Sequence, residues 1–179
     1  ALQLSKDVMH CRDLMASENK PLFAFSKMLS EEQQYAIWSL FGVCHALSHS
    51  KTIGDLATSR CHLRRVFNAD LPPLETSSQG SVSVWSALQA TMRRYNVIRR
   101  PCEDMSGGIV ALSQRGVAKF ETTDELLLHQ YRAAGVFGLI ALPVLAENSA
   151  VDAEVVEAAV ALGMAMGLTD TLNCLGHHR

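Results

Sequence analysis

Apolar side chains recur at three- and four-residue intervals along most of the chain, which is the spacing of one face of an α-helix. From Ser5 to Ser17, Val8, Cys11, Leu14 and Met15 keep this spacing, and Asp7 sits in the first turn, where the helix end favours a carboxylate. Pro21 closes that segment, and Phe23 and Phe25 follow in a short apolar piece. Ser30-Glu31-Glu32-Gln33 has the form of a capping box, in which the serine hydroxyl and the glutamine side chain each serve the other's backbone amide. It opens a helix with Tyr35, Ile37, Trp38, Leu40, Phe41 and Cys44 on its apolar side. Ile53, Leu56, Ala57, Leu63, Val66 and Phe67 predict a helix over Thr52 to Phe67. After a Pro/Ser-rich loop from Asn68 to Gly80, Ser83 to Tyr95 is helical with Trp85, Leu88 and Met92 inward. Pro101 suits the first turn of a further helix, Cys102 to Gln114. No alternating strand pattern appears, so the expected fold class is all-α, with about six to eight helices and no sheet.

The segment from Val151 to Arg179 is apolar nearly all round and carries Gly163 and Gly167 four residues apart. That pattern predicts a buried helix closely approached by a neighbour on its glycine face. Its C-terminal end turns polar, with Thr169, Asp170, Asn173, Cys174, His177 and His178. A buried helix with one polar end aims that end at a cavity or at solvent.

Composition narrows the function classes. The chain has 179 residues, 48% of them hydrophobic but only 6% aromatic, with a net charge of -2. That length supplies one compact domain, residues 1–179, with a sizeable core. The charge balance gives no basic face for nucleic acid or an anionic membrane. Five scattered cysteines without a C-x-x-C pair argue against a disulfide framework or a zinc ribbon. The longest apolar run, Gly135 to Leu145, is too short to cross a bilayer, so no transmembrane segment is expected. No P-loop, G-x-S-x-G, H-E-x-x-H or G-x-G-x-x-G context is present.

Several blocks, taken in order, resemble the squalene/phytoene synthase family. Ala36, Ile37 and Trp38 match its entry phrase ending A-I-W. Asp104, Met105 and Gly108 match D-M-I-E-G-M-x-x-D, although Gly107 and Leu112 replace its acids. Asp124, Glu125, Leu126, Tyr131, Ala134, Gly135, Gly138, Pro143 and Val144 match the block D-E-L-x-x-Y-C-Y-x-V-A-G-x-V-G-x-x-x-x-P-V. Gly163, Ala165, Leu168, Thr169, Leu172 and Gly176 match the second signature helix, approximately G-I-A-N-Q-L-T-N-I-L-R-D-V-G-E-D. The resemblance spans about Asp7 to Arg179, is closest to the plastid phytoene synthases, and implies a helical-bundle isoprenoid-synthase fold, here short at its C-terminus.

The resemblance also says where catalytic groups belong. Family synthases hold Mg²⁺ with two D-x-x-x-D motifs, because residues i and i+4 share a helix face and Mg²⁺ takes oxygen ligands. Laid on this chain, the first pair falls on Ser48 and Thr52 and the second on Cys174 and His178. Hydroxyl, thiol and imidazole cannot hold a Mg²⁺ cluster against a diphosphate. The implied reading is a pseudoenzyme with no cofactor, a structural or assembly subunit of a large organellar complex. A plastid photosynthetic complex, photosystem or antenna, is the first setting and a mitochondrial respiratory complex the second. Ala1 in place of an initiator methionine is what a cleaved organellar precursor would leave. Two alternatives stay open: a regulator that holds an isoprenoid, a carotenoid pigment or another lipid in the old cavity, or an enzyme with residual or new transferase chemistry. His45, His49, Cys174 and His178 would suit Zn²⁺ if the two motif helices face each other, and drift at freed positions gives the same residues. Arg93, Arg94, Arg99 and Arg100 form a basic cluster that fits a diphosphate or, more simply, a solvated helix end.

Overall fold

The computed structural model describes residues 6–48, 53–68, 84–115 and 120–176, with the side chains at 53, 56, 109–115, 170 and 173–176 excepted. Every regular element among these residues is helical, as the periodicity required. The chain divides into two compact units, Ala1–Val97 and Ile98–Arg179.

The first unit contains α1 (Lys6–Glu18), α2 (Lys20–Ser26), α3 (Glu31–Ser48), α4 (Ile53–Val66) and α5 (Val84–Arg94). Helix α3 is its axis, with α1 and α5 packed on it most heavily. The capping box at its start is formed: Gln33 Oε1 accepts from the Ser30 amide at 3.1 Å and from the Ser30 hydroxyl at 2.9 Å. Ile37, Trp38, Leu40, Val43 and Leu47 are buried, against Val8, Cys11 and Met15 of α1 and Leu88 of α5. Gly42 lets α1 come close, since a Cβ there would strike Cys11. Trp38 is the best-anchored side chain of this core. Its indole Nε1 donates to Ser26 Oγ at 2.9 Å, and its ring lies 5.6 Å from that of Tyr35 and 6.2 Å from that of Phe23.

Pro21 acts differently from the expectation that it ends a helix. Helix α1 has already stopped at Glu18, and Pro21 lies in the first turn of α2, where its missing N–H is not needed. Asn19 caps α2 by accepting from the Leu22 amide at 3.0 Å. The apolar piece carrying Phe23 and Phe25 is thus a short helix of its own. The Pro/Ser-rich loop lies almost wholly outside the described residues.

The second unit contains α6 (Arg99–Arg115), α7 (Thr123–Gln130), a π-helical turn (Tyr131–Gly135), α8 (Val136–Leu145) and α9 (Ala153–Gly176). With α2 and the interrupted α7–α8 segment, the described residues form nine α-helices, more than the pattern alone resolved. Pro143 lies inside α8, which runs on two residues further to Leu145. The chain then reverses through Glu147 and Asn148, both with positive φ (49° and 63°), and the Asn148 amide closes the turn on the Pro143 carbonyl at 2.9 Å.

Helix α9 packs on the π turn and on α8. Here the contact is made by absence of side chains: a Cβ on Gly163 would run into the backbone of Ala134 and Gly135, and one on Gly138 into the backbone of Ala159. The expectation of a helix buried all round is not met. Among its described side chains none is buried, and Leu162 and Leu172 are 64% and 68% exposed. Small residues on one stripe let a neighbour approach there, but an apolar opposite face does not by itself bring a second neighbour. No described helix is long and apolar enough to cross a membrane.

Candidate functional site

Of the residues at the family's aspartate positions, the two described ones, Ser48 and Cys174, lie at helix ends. Ser48 is the last residue of α3 and is exposed. Thr52 lies outside the described residues. Cys174 is in the last turn of α9, its backbone helical and its side chain outside the description, and His178 lies beyond the described residues. The chemistry of this donor set does not fit Mg²⁺, since it offers two hydroxyls, a thiol and an imidazole where a hard cation with bound water needs carboxylate oxygens.

Of the residues considered for zinc, only His45 has a described side chain. It is half-buried on α3, with its ring 6.2 Å from that of Phe41 one turn earlier. His49 lies outside the described residues with His178. Among the described residues, no group of three or more His, Cys, Asp or Glu side chains is placed to hold a metal ion.

The basic cluster is largely paired. Arg94 reaches Glu32 of α3 at 2.5 Å, Arg99 reaches Glu103 at 2.7 Å, and Arg100 reaches Asp104 at 3.2 Å. These pairs are exposed and each contributes little to stability. Each of these guanidinium groups has its carboxylate partner within its own unit. Asp104, the acid matched in the block D-M-I-E-G-M-x-x-D, is one of those partners. Gly107, which replaces a family acid, faces open space.

Two thiols are held in their protonated, unreactive form. Burial raises both Cys11 and Cys102 to about 12, with Asp7 and Glu103 adding to the effect, so both stay protonated at neutral pH. His129 of α7 is half-buried beside Phe120, ring centroids 5.2 Å apart, and burial lowers its pKa.

Two polar arrangements are not visible in the sequence patterns. In the second unit, Gln130 is buried and donates through Nε2 to Thr171 Oγ1 at 2.9 Å, while Thr171 donates to the Gly167 carbonyl at 2.9 Å. The Gln130 amide occupies the space that a Cβ on Gly167 would take. In the first unit, His62 of α4 stacks on Trp85 of α5, centroids 5.7 Å apart and planes 18° from parallel. A glutamine inside the run LLLHQY and a glycine in the facing helix were the only available signals for the first. The second had none, since its partners are far apart in sequence.

The squalene/phytoene synthase family model matches residues 16–179. The chain belongs to the squalene/phytoene synthase family. It is 22% identical over 176 residues to the farnesyl diphosphate phosphatase YisP of Bacillus subtilis, covering 97% of this chain and 60% of that protein. It is 27% identical over 175 residues to the chloroplastic phytoene synthase of Daucus carota, covering 93% of this chain and 42% of that protein. It is 25% identical to the 4,4'-diapophytoene synthase of Staphylococcus haemolyticus over 97% of this chain and 59% of that one. The chain thus spans about half the length of the curated family members it matches. A crystal structure of a dehydrosqualene synthase in complex with ligand has the same fold, with a TM-score of 0.70 at 20% identity over 92% of this chain and 55% of that one. The all-α isoprenoid-synthase fold and the family expectation therefore both hold.

Proposed function

We propose that this chain is a non-catalytic member of the squalene/phytoene synthase family, retained for its fold and its surface as a structural or assembly subunit of a large organellar complex. One observation carries the reading: all four positions that hold Mg²⁺ in family synthases are occupied here by Ser48, Thr52, Cys174 and His178. Ionising an allylic diphosphate needs its developing negative charge neutralised, and the removal of every carboxylate takes away the means. Meanwhile the positions that set helix contacts are kept, including Trp38, Gly135, Gly138 and Gly163. A fold maintained without its metal ligands is maintained for something other than condensation. The plant family members are chloroplastic phytoene synthases, which favours a plastid complex, with a mitochondrial complex second.

A second reading has its own support. The related proteins are named as enzymes of prenyl diphosphates or their products, and one is a phosphatase rather than a synthase. A chain of this fold can hold an isoprenoid or a carotenoid without joining two of them.

Two measurements separate the readings. Purified protein is incubated with radiolabelled geranylgeranyl or farnesyl diphosphate and Mg²⁺; the expected result is neither phytoene nor squalene, nor release of phosphate. Magnesium-dependent turnover by pure protein would overturn the non-catalytic reading. The native protein is then followed through a sizing gradient and its fractions extracted with solvent. Co-migration with other polypeptides supports the subunit reading. Migration as a lone chain carrying a stoichiometric prenyl lipid transfers the proposal to the ligand-binding alternative.

A further inference from the structure

His62 is the one described side chain with a solvent-inaccessible polar atom that has no hydrogen-bond partner: its Nδ1 is closed off from water and unpaired. The ring stacks on Trp85 of α5, a helix packed on α4, where Leu63 and Val66 are also buried. A neutral imidazole tolerates this arrangement when Nδ1 is the unprotonated nitrogen, since only a lone pair is left unsatisfied. A proton added there becomes a buried charged donor with nothing to accept it, which is a much larger cost.

The surrounding charges add to that cost. Arg65 stands three residues further along α4 and acts directly on the ring. Asp55 lies two turns before His62 on the same helix, about 10 Å along its axis. Helix α5 presents Trp85 to the ring, and its own ionisable groups, Arg93 and Arg94, lie in its last turn. Helix α3, the other element packed on α4, carries Cys44 and His45 toward the end where Val84 lies over Gly42. Its acids, Glu31 and Glu32, are in its first turn, where Glu32 is paired with Arg94. Among the described residues, no carboxylate is set against the ring to welcome its proton.

We propose that His62 is a pH-sensitive latch: while neutral it seats α4 on α5 through Trp85, and on gaining a proton it leaves that seat and releases α4. Burial first, and Arg65 second, lower its pKa from the ordinary 6.5. A group whose pKa is lower folded than unfolded stabilises the fold fully above the unfolded value and loses that contribution as pH falls through the folded value. The latch is therefore closed at neutral pH and opens on the acid side of 6.5. This inference is independent of whether the protein is catalytic.

The test uses the full chain, labelled with ¹⁵N, titrated from about pH 8 to about pH 5, the range over which histidine changes charge. His62 is expected to titrate below 6.5. Over that titration, amide hydrogens in Ile53–Val66 and Val84–Arg94 should lose protection together, beyond the change in intrinsic exchange rate. The loss should be about tenfold for each unit by which the pKa is lowered. Amides of Lys6–Glu18 should show no such step. His62→Phe keeps a ring on Trp85 and removes the proton, and its protection should become independent of pH. A wild-type His62 that titrates at 6.5 or above overturns the proposal, as does a pH step that survives in His62→Phe. Should that variant fail to fold, the wild-type titration and exchange decide by themselves: titration below 6.5 without loss of protection in α4 and α5 also overturns it.

Discussion

Helices α3 and α9 carry the two family signatures and are held in place by opposite means. Helix α3 fills space: Ile37, Trp38, Leu40, Val43 and Leu47 are buried, and its neighbours wrap around them. Helix α9 removes space: Gly163 and Gly167 bring its backbone against Ala134, Gly135 and Gln130, and its described side chains remain at least partly exposed. The first depends on volume being present and the second on volume being absent. Substitutions of opposite sense should therefore damage each, and a single sense of mutation cannot probe both.

The largest effect is expected in α3. Trp38→Ala opens a cavity in the first unit and leaves Ser26 Oγ without its indole donor, so a loss of about 3–5 kcal/mol is expected in urea denaturation. A loss under about 1 kcal/mol would mean that the α3 core is not what holds that unit. Next comes α9. Gly163→Ala adds one methyl against backbone atoms that cannot rotate away, and should cost about 1–2 kcal/mol even after the helix-propensity gain of alanine. A smaller effect belongs to the caps. Thr122 accepts from the Glu125 amide at 3.2 Å at the start of α7, and Thr122→Ala should cost about 1 kcal/mol, read as faster hydrogen exchange in the first turn of that helix. The smallest change has the opposite sign. Gly107→Ala places the same methyl into open space within α6 and should stabilise by about 0.5–1 kcal/mol. The pair Gly163→Ala and Gly107→Ala sharpens the comparison most, because one substitution in two helices should move stability in two directions. Equal effects would remove the distinction between a glycine that is needed for contact and one that is not.

The sequence carried those parts of the structure that depend on local order. The Ser30–Gln33 box, the inward faces of α1 and α3 and the all-helical class all follow from residues within a few turns of one another. One error was local: Pro21 reads as closing a segment, yet Asn19 two residues earlier supplies a cap that turns the following residues into a new helix. The others lay where a distant partner decides the outcome. The apolar circumference of α9 reads as burial, yet burial needs a neighbour on each side, and periodicity does not count neighbours. The π turn at Tyr131–Gly135 has no local signature, since Tyr-Arg-Ala-Ala-Gly suits an ordinary helix. For the candidate site, the reading of the four aspartate positions rests on the family spacing, and Thr52 and His178 lie outside the described residues. The His62–Trp85 stack was not legible, because nothing in either segment refers to the other.

The π turn has one more consequence, which concerns phase. Successive residues of an α-helix advance by about 100° around the axis, so a face defined by Gln130 would drift away over the next two turns. The wider turn absorbs an extra residue and resets the count, much as a leap day realigns a calendar. Gln130, Ala134, Gly135 and Gly138 thereby all come to meet α9. The helix on either side is indifferent to this residue, but the angular register of α8 relative to α7 is not. An ordinary α-helix over the same residues, with none absorbed, would rotate everything after the turn by about 100°, turning Gly138 away from Ala159. The wider turn thus sets the relative angle of two helices, and a one-residue deletion between Gly135 and Gly138, where nothing absorbs it, should do more harm than a substitution at the same position.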